Sequence, residues 1–540
     1  MRDQESVIID GYDVLGESAR LDLPDQVVCG RRLNRATAVP AQSTPQDTPE
    51  ALLTEHDAAL IPTTREAGRR AVDLSHPAHG MFVSSDGGVY LDLSLGLGQK
   101  IVDESHPHLL GTRRQLDEQG LTFRREVTSS DLIHLGCDGV EGVHTPVQLG
   151  SLINELSAEA FPGAGPFKTF FSNSGAEAGE AAIKLAMLNA YRRFVARHGL
   201  DVLAALMDDL GIRRDGDDDV QEQLSDPLYE DYPFFVFGTD GAFHGRTLGV
   251  LNLSRSRKAE HLGYARLRWV RHVPFNGDVC DLTDRLDDRP VPEILAAPGG
   301  VRAVLDAGRV PAELVALFAT EVFQAEGGFR MAEASWLQDM AAACRERDIL
   351  VGVDEVQSFG RTGVLFATQH YAIGPDLLWT AKASVLGVTV ARSALAKACH
   401  TGWHGEASGG GKLFDTNMAY ATFELLARRR DALFGRTLLE NSRIKGLYLR
   451  MRLAELCSAH GEVFPEFHGL GGMWGLSVMH REDVLATAWR LGLKLVGCGP
   501  AGEVSRIRIL LLADVLTREI DVMVEALDRV FEAVEEQHDL

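Results

Sequence analysis

The chain has 540 residues, 45% of them hydrophobic and 24% charged, and its 54 basic against 77 acidic residues leave a formal net charge of -23. That length suits a large core in two closely associated domains plus extensions, and the acidic balance excludes nucleic acid or anionic membrane as a main partner. Seven cysteines (Cys29, Cys137, Cys280, Cys344, Cys399, Cys457, Cys498) show no paired spacing and an odd count, which fits a reduced cytoplasmic setting; neither a signal peptide nor an apolar run of about 18 residues is visible.

In chain order, residues 1–80 read as an N-terminal arm, with a Pro/Ser/Thr/Gln-rich stretch at Arg31–Glu50. Residues 81–130 are expected to contribute to a smaller domain, 131–410 to form a large α/β domain, and 411–540 to return to the smaller one. In FFSNSGAEAGEAAIKLA, Phe170–Ala186, an apolar stretch breaks at Asn173, Ser174 and Gly175 and resumes as an Ala-rich helix. Small residues at such a turn let backbone N–H groups and the positive helix end approach an anion such as phosphate, although any ordinary helix start has the same look. A polar stretch at Arg213–Asp231, within about 197–232, reads as an acidic surface insertion. GAFHGRTLG, Gly241–Gly249, offers an aromatic, Phe243, that could cover a planar ring, and Arg246, which could clamp a carboxylate. EVFQAEGGFR places Glu321 and Glu326 after the apolar run Leu314–Ala319. An amphipathic helix is expected over Ala334–Arg347 and another over Ile520–Glu536. Right-handed crossovers would make the large sheet mainly parallel.

Two apolar runs carry the chemistry. Ile349–Val353 ends at Asp354, and Leu377–Ala381 ends at Lys382. Each reads as a buried strand that delivers a charged side chain to the carboxyl edge of a parallel sheet. A lysine in an apolar site can lose its proton and form a Schiff base, and a nearby carboxylate can keep a ring nitrogen protonated; pyridoxal phosphate (PLP) chemistry requires both. Taken alone, the pair is equally a surface lysine and a helix-capping aspartate. No metal site is expected: His106 and His108 flank a proline, and Asp215, Asp217, Asp218 and Asp219 lack the rest of a calcium loop.

SNSGAEAGEAAIK, FHGRTLG, EVFQAEGG, DEVQSFGRTG and the lysine turn TAKAS, in that order, resemble the class III aminotransferases, a fold type I PLP family, over roughly Val89 to Val530. The resemblance implies a mainly parallel seven-stranded sheet in the large domain, a smaller α+β domain, and a homodimer with active sites at its interface. It makes Lys382 the Schiff-base lysine and Asp354 the partner of the pyridinium nitrogen. Ser174, Gly175 and Ala176 would hold the phosphate, Phe243 would stack on the ring, Gln357 would lie near its phenolic oxygen, and Glu321 belongs with these cofactor-binding residues. Arg246 would clamp a substrate carboxylate. Glu326 and Arg508 resemble the Glu–Arg switch of the ω-amino acid enzymes, paired when a side-chain amine reacts and parted for 2-oxoglutarate.

The implied activity is ping-pong transfer of a terminal amine to a keto acid. Another PLP reaction on the same scaffold (aminomutase, epimerase or decarboxylase) and a non-catalytic partner-binding role are the alternatives. The sequence also departs from the family. Ala383–Ser393 replaces a glycine-rich loop with a proline. Leu413 stands where a phosphate-binding threonine belongs if Asn417 is the anchor, with Ser408 or Lys412 as substitutes. Leu97 replaces a substrate-contacting tyrosine, Val322 a proline, and Leu511 and Leu512 a Pro-Pro pair.

Overall fold

A computed structural model describes residues 8–9, 12–13, 82–85, 88–122, 142–214, 229–256, 261–397, 410–499 and 505–540. The Pro-rich stretch at Arg31–Glu50, the acidic cluster Asp215–Asp219 and Ser408 lie outside the described residues. The chain divides into two units: residues 1–112, 360–365 and 421–540 form one, and residues 113–359 and 366–420 the other.

The second unit is built on seven strands: β1 Phe167–Ser172, β2 Phe235–Thr239, β3 Val270–Val273, β4 Val315–Glu321, β5 Leu350–Asp354, β6 Leu377–Thr380 and β7 Gly387–Arg392. Their order is β1-β7-β6-β5-β4-β2-β3. The β3-β2, β2-β4, β4-β5 and β5-β6 pairs are parallel, and β7 alone runs against its neighbours β6 and β1. Every residue of β2 and β4 is buried, so these strands are continuous apolar runs covered on both faces rather than alternating ones. Gly352 in β5 has a structural reason: a Cβ there would lie 2.9 Å from the Trp379 ring and 3.0 Å from Leu317.

Helix α1, Gly175–His198, packs across β4, β6 and β7 through buried Ala178, Ala181, Ala182, Leu185 and Ala186. Small side chains there bring helix and sheet close. A second helix follows at Leu200–Leu210, with Leu203, Leu206 and Met207 buried. The part of the expected insertion before Asp215 is therefore ordered and anchored in the core. Helix α2, Ala334–Glu346, buries Trp336, Leu337, Met340, Ala341 and Cys344, the i, i+3, i+4 stripe legible in the sequence.

The first unit is α+β. A four-stranded antiparallel sheet has the order Glu466–Leu470, Met473–Val478, Ser505–Leu510 and Val496–Cys498, and a three-stranded sheet joins Leu493–Lys494, Gly88–Asp92 and Phe82–Ser85. The C-terminal helix Thr517–His538 buries Ile520, Met523, Val524, Leu527, Val530, Phe531 and Val534. Among the described residues no helix is long and apolar enough to cross a membrane.

Candidate active site

Three neighbouring parallel strands in the second unit end at one edge. Glu321, the last residue of β4, is in register with Asp354, the last of β5, and Asp354 is in register with Trp379 of β6. Lys382 follows the end of β6 by two residues in a single 3-10 turn, Lys382–Ser384. Ser384 N–H closes this turn on Ala381 O at 2.9 Å. The Ser384 hydroxyl reaches the Ala381 and Leu386 carbonyls, both at 2.9 Å. Lys382 itself has φ +46°, and Val385 has φ +71°. A β-branched residue in the left-handed region persists only where its surroundings over-determine it. Strain thus sits where the resemblance leads one to expect glycine and proline.

Asp354 is only 4% exposed. Its Oδ1 accepts the Val356 N–H at 2.8 Å, and its Oδ2 lies 2.8 Å from His244 Nδ1. An ionised carboxylate only accepts, so this contact assigns the Nδ1–H tautomer to His244. The His244 side chain is fully buried, its backbone N–H donates to Ser254 Oγ at 2.9 Å, and its ring lies 5.8 Å from that of Trp379. Glu321 accepts the Phe243 N–H through Oε2 at 2.8 Å. Burial, then the charge of Asp354, pushes the Glu321 carboxyl well above the usual range; the Phe243 N–H and the Lys382 charge oppose this, and Glu326 adds to it.

Ser174 caps α1 by accepting the Glu177 N–H at 3.2 Å. Helix geometry leaves the N–H groups of Gly175 and Ala176 without intrahelical acceptors, at the positive end of a 24-residue helix. A Cβ on Gly175 would meet a Val356 methyl at 2.8 Å, and one on Gly245, at φ +127°, would meet the Ala176 Cβ at 2.7 Å. The Phe243–Gly245 segment therefore lies directly against the helix start, and only glycine permits the approach.

Of the residues read from the sequence, Ser174, Gly175, Ala176, Phe243, Glu321, Asp354, Gln357 and Lys382 gather along this edge and the adjoining helix start. Arg246 is exposed, with Cζ 5.9 Å from the Phe243 ring centroid, a cation–π contact at the rim. Glu326 is half-buried after β4. Arg508 belongs to the first unit, on the strand Ser505–Leu510, where it is 1% exposed and in register with Gly475 and Val496.

Leu413 is core: it opens helix α3, Leu413–Ala427, and packs with Leu116 and Val143. Asn417 spends its amide locally, accepting the His144 N–H at 2.6 Å and donating to His144 O at 3.0 Å and Leu413 O at 2.7 Å. Lys412 is exposed.

These residues suit a phosphorylated pyridine aldehyde. The Gln357 amide oxygen is buried with no hydrogen-bond partner, so this amide is available to a ligand's polar atom, its O and N ends being interchangeable in shape. The helix start offers unpaired N–H groups to a phosphate, Asp354 offers a carboxylate to a ring N–H, and Lys382 offers an amine.

His244, within FHG, carries no role in the sequence reading. Its signal is a histidine between an aromatic and a glycine, in a loop whose Phe243 and Arg246 point to the site.

Comparison with known proteins matches residues 66–531 to the family described as Aminotransferase class-III. The acetylornithine aminotransferase of Methanothermobacter thermautotrophicus is 26% identical over 470 residues, 86% of this chain and 94% of that protein. Its counterpart from Methanocaldococcus jannaschii is 27% identical over 454 residues, covering 83% and 90%. Among solved structures, a lysine aminotransferase from M. tuberculosis superposes with a TM-score of 0.67 at 22% identity, covering 90% of this chain and all of that one. An ornithine aminotransferase from Toxoplasma gondii superposes at 0.65 and 18%, covering 91% and 96%. With a family match across most of its length and that fold beneath it, the chain belongs to the class-III aminotransferases, whose cofactor is PLP.

Proposed function

We propose that this aminotransferase moves the terminal amino group of an ω-amino acid or diamine to a keto acid such as 2-oxoglutarate, in two half-reactions. The observation that carries the reading is the register of Glu321, Asp354 and Trp379 across three parallel strands, with Lys382 just beyond the third. The terminal amine is supported by the curated relatives named acetylornithine aminotransferase, since acetylornithine keeps only its side-chain amine free.

When bound, PLP supplies an electron sink for charge developing at the donor carbon. Lys382 would hold its aldehyde, and its Nζ would take and return the proton of the donor carbon. Asp354, oriented by Val356 N–H and His244 Nδ1–H, would pair with the ring nitrogen. Ser174, Gly175 and Ala176 bind the phosphate, Phe243 covers the ring, and Gln357 meets its phenolic oxygen. Glu326 and Arg508 act as the switch that admits an amine in one half-reaction and a second carboxylate in the other, with Arg246 for a substrate carboxylate.

The resemblance further supports a homodimer with its active sites at the interface. The free thiols of Cys280, Cys344, Cys457 and Cys498 support a reducing, cytoplasmic setting.

The test follows the visible absorbance of the loaded protein as ornithine, acetylornithine, lysine, 4-aminobutyrate and diamines are added singly. One or more terminal amines should bleach it and 2-oxoglutarate should restore it, while Lys382→Ala should lack both the band and turnover. A Lys382→Ala protein that transaminates at the parent rate would sink the assignment.

A further inference from the structure

The outermost strand of the large sheet, β3, closes a stretch of chain rich in arginine. Arg255, Arg266, Arg268 and Arg271 fall within seventeen positions and belong to the second unit. Together with Asn252, His261 and His272 they line a cavity of about 250 Å³. The chain as a whole has a net charge of -23, so acids are plentiful elsewhere. Among the described residues one carboxylate answers these four cations: Asp231, 2.6 Å from Arg268 Nε. Arg266 is exposed and, among the described residues, makes no hydrogen bond or ion pair.

The walls of the cavity are fixed. Asn252 Nδ2 donates to Leu248 O at 2.8 Å and to Ala265 O at 3.3 Å, and its Oδ1 accepts Leu267 N–H at 2.8 Å. These bonds tie the arginine-bearing loop to the helix Leu248–Leu253. His272 Nε2 lies 3.1 Å from Leu253 O. A carbonyl only accepts, so the proton sits on Nε2, and Nδ1 is free to accept Arg255 Nε–H at 3.3 Å. Burial, then the Arg255 charge, brings His272 down to about 4; at neutral pH it therefore orients Arg255 without adding a repelling charge. Arg271 Nη1 donates to Arg268 O at 2.5 Å and Val270 O at 3.0 Å, and its Cζ lies 5.0 Å from the Phe235 ring centroid. His261 Nε2 is buried with no hydrogen-bond partner.

Like charges gathered on a rigid wall repel one another and attract a counter-ion, the more so when the wall is concave. A buried imidazole nitrogen without a partner calls for a ligand's polar atom as well. Guanidinium forks match phosphate in two-pronged fashion, and a phosphate brings more charge in the same space than a carboxylate does. The cavity is just smaller than the roughly 300–1,000 Å³ of drug-sized sites, which suits one or two phosphate groups.

We propose that this cavity binds the phosphate groups of a small phosphorylated molecule, with Arg255, Arg266 and Arg271 supplying the charge and His261 Nε2 a hydrogen bond. The proposal does not depend on which amine the enzyme consumes.

The experiment is calorimetric titration of the full-length PLP-loaded protein with inorganic pyrophosphate and, as a carboxylate of similar charge, with citrate. Loading ensures that the cofactor's phosphate, not the probe, fills its own site. The parent should bind pyrophosphate, less tightly as salt rises from about 0.05 to 0.3 M. Arg266→Gln and Arg255→Gln should each weaken it about tenfold, the scale of one charge-assisted contact, and Arg266→Glu should abolish it. Arg113→Gln makes the same change of charge at an exposed helix position and should stay within about twofold.

The proposal fails if the parent does not bind pyrophosphate, if Arg266→Gln binds it as the parent does, or if Arg113→Gln loses as much. It fails equally if citrate binds as tightly and depends on Arg266 as strongly, which would make the cavity a carboxylate site. Arg266 touches no other side chain, so its variants should melt with the parent; should Arg255→Gln not fold, the two Arg266 variants decide.

Discussion

His244 Nδ1 lies 2.8 Å from Asp354 Oδ2, with both side chains almost wholly withdrawn from solvent. The contact orients the carboxylate at the edge of the sheet. A bond to a charged group contributes about 1.5–3 kcal/mol. His244→Leu, which fills most of the space but cannot donate, should therefore weaken PLP binding roughly 10- to 100-fold by that scale. His244→Asn can present an amide N–H near the same place and should stay within a few-fold of the parent. Equilibrium release of the cofactor, followed by its absorbance, reads both. Equal losses would mean that the ring fills space and does not hold the carboxylate.

The second prediction concerns Gly245. At φ +127°, with Ala176 Cβ 2.7 Å from any added Cβ, it lets the Phe243–Gly245 segment lie on the start of α1. Gly245→Ala forces the segment outward or strains the backbone, at a cost of order 1–3 kcal/mol. Because the affected surface is the helix start, cofactor retention should fall together with the melting temperature, whereas Gly263→Ala, at a glycine with positive φ and open surroundings, should lower stability and spare retention. Melting curves with and without added PLP separate the two. Retention unchanged in Gly245→Ala would detach that segment from phosphate binding.

The sequence disclosed the fold where one physical rule governed. Runs such as Val315–Glu321, buried on both faces, announce parallel strands, and Trp336, Leu337, Met340, Ala341 and Cys344 announce a helix by their spacing. The charged residues that end two of those runs, Asp354 and Lys382, were legible because a buried strand rarely ends in a charge without a task.

What stayed hidden depends on three-dimensional pairing. No spacing rule links His244 to Asp354, 110 positions away. Gly352 discloses its purpose only when the Trp379 ring is seen against it. The ordered helix Leu200–Leu210 was masked by the acidic stretch that follows, whose composition dominates any window laid over both.

Glu519, only 7% exposed near the start of the C-terminal helix, gives a stability prediction in the first unit. Burial pushes its pKa up to about 7; the Leu516 N–H opposes this, the Asp103 charge adds to it, and Lys445 opposes it. A carboxyl raised in the fold favours the folded state fully below its unfolded value, about 4.3, and that contribution is lost as pH rises through 7. The loss above pH 8 is on the order of 4 kcal/mol. Glu519→Gln, always neutral, should match the parent near pH 4 and exceed it at pH 8, as read by denaturant midpoints at both values. A parent advantage at pH 8 would mean that the carboxylate is better held than its burial implies.

Glu321 extends the same logic to the active-site edge, where a ligand can reverse it. Its carboxyl is raised by burial and by Asp354 beside it, so in the cofactor-free protein it favours the fold at acid pH and opposes it increasingly as pH rises and the proton is lost. Glu321→Gln keeps an acceptor for the Phe243 N–H and removes the repulsion with Asp354. The cofactor-free variant should therefore melt above the parent at pH 8, with the gap closing toward pH 4. When PLP is bound, a protonated ring nitrogen beside Asp354 offsets part of that negative charge, so the gap at pH 8 should narrow in the loaded protein. Four melting curves, parent and variant with and without PLP at pH 8, decide it. A gap that PLP leaves unchanged would mean that the cofactor's charge does not reach this pair, and the pairing of Asp354 with the ring nitrogen would fall with it.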